Sequence, residues 1–142
     1  MTRWLERGAL VAALTLGGTA AAAGQGSLAE AAERTRQAWL AHDAAAVVGE
    51  GSSLVLQIPG ADPSAPVDRT QAVVLVRRYL QAAGERGLEL RGAQEMEPGR
   101  GYAELERRYV VAGTADVRRE TIFLGFHKTG DAWQLAELRC TP

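Results

Sequence analysis

This chain of 142 residues has one cysteine, one lysine and two histidines. Each scarcity excludes something. Cys140 stands alone, so no internal disulfide forms. Its thiol is either buried and inert or free to bridge to another chain. Its place two residues from the end favours exposure, and an incidental thiol is the plainer reading. No Cys/His spacing suited to a metal, no glycine-rich phosphate loop and no catalytic motif is present. The expectation is no metal, no cofactor and no catalytic residue. Lys128 is the only lysine, so the basic residues are almost all arginine. Sixteen basic against seventeen acidic residues give a net charge of −1, a poor balance for nucleic acid. No apolar run reaches the ~20 residues that cross a bilayer.

What is present begins with a leader. Arg3 and Arg7 precede a short apolar run from Ala9 to Leu16, and Ala21-x-Ala23 ends it. This layout predicts a secretory signal peptide over 1–23 and a single domain over 24–142. The product is then exported, periplasmic or secreted, with no stable membrane anchor after cleavage.

Three helices follow in the first half. Ser27 with Glu30 has the capping-box pattern, and Leu28, Ala32, Thr35 and Trp39 recur at helical spacing to about Leu40. Trp39 reads as a core anchor. Asp43 caps a short helix from Ala44 to Val48. A strand from Ser53 to Ile58 stops at Pro59-Gly60, and a loop with Pro63 and Pro66 follows. Asp68 and Gln71 start the third helix, which Gly84 and Gly87 end near Ala83.

Leu88 to Arg139 reads as four antiparallel strands divided at Pro98–Gly101, Gly113–Asp116 and Gly130-Asp131. Pairing Glu97 with Tyr102 sets Leu90 opposite Tyr109, Leu88 opposite Val111 and Gly92 opposite Arg107. Pairing Ala112 with Val117 sets Leu105 opposite Leu124 and Ala103 opposite Phe126. Alternation then collects Leu88, Leu90, Met96, Ala103, Leu105, Tyr109, Val111, Ile122, Leu124 and Phe126 on one face. The other face is charged. It carries Val110, Phe123 and Gly125, and sets like charges together, Arg91 with Arg108 and Glu95 with Glu104. A two-residue Gly130-Asp131 turn puts Trp133, Leu135, Glu137 and Arg139 on the apolar face.

Helix, short helix, strand, helix and four-strand meander is the order of nuclear-transport-factor-2-like proteins. The segment from Ala38 to Val47 resembles their joint after the first helix, and Trp133 to Arg139 resembles their final strand. The resemblance spans 27–140 and is greatest to small exported bacterial proteins of unknown function. It implies an α+β fold, with three N-terminal helices and one inserted strand packed on a curved antiparallel sheet as a cone. Enzymes of that superfamily place an Asp, Tyr or His in the cone. Here Asp116 and Asp131 fall in turns, His127 faces outward and His42 ends a helix.

The apolar face is interrupted by Arg107, Tyr109, Arg118 and Glu120, with Gln94 nearby and Glu137 if the last turn is as read. Two readings stand. In one, Arg107 and Glu120 form a structural ion pair, as a core-facing charge requires. In the other, Gln94, Arg107, Tyr109, Glu120 and Glu137 line a pocket where arginine holds an anionic or carbonyl group. The function expected is non-enzymatic binding of a small molecule or protein by a homodimer. The alternatives are a small lyase, isomerase or cyclase, and a module that only assembles.

Overall fold

The computed structural model describes residues 26–142, so the leader over 1–23 lies outside the described residues. Helix α1 (Leu28–Leu40) starts where the Ser27 hydroxyl accepts the Glu30 amide at 3.1 Å. Helix α2 (Ala44–Val48) starts where Asp43 accepts from the Ala46 amide at 3.1 Å. Between them His42 adopts φ 54°, the left-handed turn that lets the chain reverse. Strand β1 (Ser53–Gln57) and a two-residue strand β2 (Val67–Asp68) precede helix α3 (Arg69–Gln81). Asp68 caps α3 by accepting the Gln71 amide at 2.8 Å. Strands β3 (Ala83–Glu97), β4 (Arg100–Val111), β5 (Val117–Thr129) and β6 (Ala132–Thr141) complete the chain.

The strands form one six-stranded sheet in the order β2-β1-β6-β5-β4-β3. All pairs are antiparallel except β1 with β6. The helices bury Trp39, Val47, Val48, Val76 and Leu80 against Leu54, Leu105, Ile122, Leu124 and Leu138 of the sheet. The fold is therefore α+β, with helices packed on one sheet face.

Several details depart from the sequence reading. Helix α3 ends at Gln81, and β3 begins at Ala83 rather than Leu88. Three bulges then shift β3 against β4. Leu88 lies opposite Arg107, Leu90 opposite Leu105 and Gly92 opposite Glu104. The space expected beside Arg107 from a facing glycine is absent, and Met96, expected inside, is 64% exposed. The β4–β5 connection takes up two more residues than expected, with Val110 against Val117 as the last pair. A shift of two keeps every side chain on its face. Val110 is nevertheless buried. The bulges also remove the expected like-charge neighbours. Arg91 reaches Glu106 at 2.5 Å and Glu89 at 3.1 Å, and Glu95 lies opposite Gly101.

The two-residue turn before β6 is as read, with Thr129 paired to Ala132. Leu135 is buried and Trp133 packs against the core. A bulge at Ala136 then reverses the alternation. Glu137 pairs with Gly125 on the outer face, and Leu138 turns inward.

Candidate functional site

Arg107 projects from β4 into the core and is completely buried. A buried guanidinium must be paired and hydrogen-bonded to persist. Glu85 meets it edge-on. Nε donates to the two carboxylate oxygens at 3.0 and 2.9 Å, and Nη2 donates to Oε1. Nη1 donates to Glu120 Oε1 at 2.6 Å and to the Tyr79 hydroxyl at 2.9 Å. The Tyr79 hydroxyl in turn donates to Glu120 Oε1 in a short bond, and Trp39 Nε1 donates to Glu85 Oε1 at 3.2 Å.

Three aromatic rings enclose the guanidinium. Its central carbon lies 4.2 Å from the centroid of Tyr109, 5.0 Å from Tyr79 and 5.2 Å from Trp39. Trp39 and Tyr79 meet edge-to-face. Planar delocalised charge between rings, with carboxylates at its rim, is the environment arginine fits best. Burial works to lower the Arg107 pKa, but the bonds and charges of Glu85 and Glu120 outweigh it and raise it. Burial raises the Tyr79 pKa far above that of a free phenol, and the neighbouring Cys140 and Glu120 add to this. Arginine stays charged and the phenol keeps its proton, so neither group can exchange protons at neutral pH.

The cluster opens on one side. A recess of about 470 Å³ is lined by Tyr109, Glu120, Cys140, Arg118, Arg119, Pro59 and Pro142. Cys140 is half-buried in β6 rather than exposed at a chain end, because β6 continues to Thr141 and turns it inward. Burial, with the charge of Glu120, pushes its thiol up to about 12. The thiol is therefore protonated and a poor nucleophile.

Of the five residues proposed from sequence, Arg107, Tyr109 and Glu120 come together. Gln94 does not. It is exposed on β3 opposite Tyr102, because the bulges carry it away from the cluster. Glu137 does not either. The β6 bulge turns it outward, where it pairs with Arg139, which reaches Gln57 at 3.1 Å. Sequence reasoning missed Glu85 and Tyr79 and assigned Trp39 only to the core. Glu85 lies in Gly84-Glu85-Arg86-Gly87, which reads as a linker, and a bulge between Glu85 and Gly87 aims it inward. Tyr79 sits on the apolar stripe of α3 with nothing in its spacing to distinguish it. Among the described residues no three His, Cys, Asp or Glu side chains gather as a metal site.

A second recess, about 340 Å³, lies between α1, α2 and β6 and is lined largely by Thr35, Val47, Val48, Phe126, Trp133 and Leu135.

No protein-family model matches this chain, and no curated protein matches it. Solved structures do. A ketosteroid isomerase-like protein from Erwinia carotovora atroseptica is 17% identical with a TM-score of 0.63, over 81% of this chain and 95% of that one. A DUF4783 family protein from Bacteroides ovatus is 9% identical with a TM-score of 0.59, over 75% and 90%. The protein named Rd1NTF2_04 with long sheet is 13% identical with a TM-score of 0.64, over 81% and 100%. At such identities the likeness carries architecture and nothing of chemistry. With helices on one face of this sheet and these neighbours, the chain has the nuclear-transport-factor-2-like fold.

Proposed function

We propose that this protein is an exported, non-enzymatic domain that binds a small molecule at the mouth of a cone formed by its sheet and helices. The observation that carries the reading is the recess floored by Tyr109, Glu120 and Cys140, with Arg118 at its side. Its volume suits a small ligand. The polar floor is braced from behind by Arg107, so it is preorganised. Catalysis by acid–base transfer is disfavoured. Tyr79 behind the floor and the Cys140 thiol are both raised in pKa, and Glu120 already accepts from Arg107 and Tyr79. The leader-like residues 1–23 support export.

Native mass spectrometry of protein purified through its own export route tests this reading. An extra mass that vanishes on denaturation, and is missing when Cys140→Trp fills the recess, is the expected result. A clean mass in the unaltered protein would count against ligand binding and favour assembly.

The reading includes a homodimer through the outer sheet face. Phe123 and Tyr102 stand there among ion pairs of Arg91, Glu106 and Arg119. A two-fold partner would cover the aromatic groups and meet these charges with complementary ones.

A further inference from the structure

We infer that the recess recognises a zwitterion of the amino-acid class, with Glu120 binding its ammonium and Arg118 its carboxylate; this rests on the recess being the ligand site. The argument starts from Glu120. Its Oε1 is held by Arg107 and Tyr79, while its Oε2 takes no hydrogen bond from any described residue. No buried side-chain oxygen or nitrogen among the described residues lacks a partner, so Oε2 is open to solvent in the recess. A carboxylate only accepts hydrogen bonds, so the ligand must donate there. Arg107 is one cation between two carboxylates, Glu85 and Glu120, so the floor retains negative charge and favours a cationic donor over a hydroxyl.

Arg118 supplies the opposite pole. It lies two residues before Glu120 on β5, roughly 6.5 Å along the strand and on the same side. It sits directly opposite Tyr109, is exposed, and forms no ion pair or hydrogen bond among the described residues. Arg119 lines the same rim but turns to the outer face toward Glu106 at 3.6 Å. An ammonium and a carboxylate a few ångströms apart fit between Glu120 and Arg118. The ring of Tyr109 and the rings of Pro59 and Pro142 offer apolar walls to a side chain.

Calorimetric titration of the protein with four matched probes tests the assignment: L-phenylalanine, N-acetyl-L-phenylalanine, 2-phenylethylamine and 3-phenylpropionate. The expected result is that phenylalanine binds at least ~10-fold tighter than each probe lacking one charge, the worth of one charge-assisted bond. Arg118→Ala, an exposed change that leaves the core intact, weakens phenylalanine by about tenfold and leaves 2-phenylethylamine unchanged. Glu120→Gln weakens both amines and leaves 3-phenylpropionate unchanged. If 2-phenylethylamine or 3-phenylpropionate matches phenylalanine, the zwitterion assignment falls. The recess then still stands if amide shifts on titration map to Tyr109 and Cys140. If none of the four binds, the assignment also falls, and the native mass spectrum decides separately whether the recess holds another ligand.

Discussion

With Arg107 shortened to alanine, Glu85 and Glu120 would face each other in the interior with no cation between them. Breaking a buried pair in this way costs about 3–5 kcal/mol, because the two carboxylates lose their shared cation while staying largely out of water. Urea unfolding of Arg107→Ala should show that loss. Replacing the charged group as a whole, Arg107→Met with Glu85→Gln and Glu120→Gln, should recover most of it. A triple variant no better than Arg107→Ala would mean that the rings of Trp39, Tyr79 and Tyr109, not the carboxylates, hold the arginine.

Cys140 carries the second prediction at this scale. Its folded pKa, about 12, lies above the ~8.5 of a free thiol, and Tyr79 is raised as well. The folded state therefore binds protons more tightly than the unfolded chain. The stability these groups contribute is complete below about pH 8.5 and is lost as pH rises from there through about 12 for the thiol. Cys140→Ala should remove part of that alkaline loss, with Tyr79 supplying the rest. At pH 8, alkylation of native Cys140 should run at least ~100-fold slower than in urea. Equal rates would show the thiol to be open.

Among the elements, β4 is tuned by a position with no room for a side chain. A Cβ on Gly101 would lie 2.5 Å from Leu28 Cδ2 and 3.0 Å from the Gln94 carbonyl oxygen. The backbone contact cannot relax, so Gly101→Ala should cost about 1–3 kcal/mol and disturb how α1 sits on β4. Calorimetry against Gly92→Ala, where a Cβ meets open space, separates this crowding from a general effect of glycine replacement. The bulges act at the same scale. One in β3 aims Glu85 at Arg107, and one in β6 removes Glu137 from the inner face. Periodicity alone reads through a bulge, so the four-strand meander and the pairing of Arg107 with Glu120 were legible from sequence, while its second carboxylate, Glu85, was not.

For the whole molecule, the outer sheet face is where assembly would be decided. Light scattering at tens of micromolar should give twice the chain mass. Phe123→Asp should return it to one chain mass without lowering the helix signal in circular dichroism, because Phe123 points away from the helices. A monomer in the unaltered protein would refute the dimer.

Local rules were enough to determine much of this protein. The caps at Ser27, Asp43 and Asp68 start their helices where side-chain oxygens meet free amides three residues on. Alternation from Ala103 to Phe126 sets which face is apolar, because a shift of two in the register leaves the faces unchanged. The nuclear-transport-factor-2-like order of elements was readable from these signals. Arg107, Tyr109 and Glu120 were read together from the strands, but tertiary structure alone decided what surrounds them. Tyr79 from α3, Glu85 from the start of β3 and Trp39 from α1 reach Arg107 only when the helices close on the sheet. Their meeting depends on single-residue bulges and on desolvation, and neither leaves a period in the sequence.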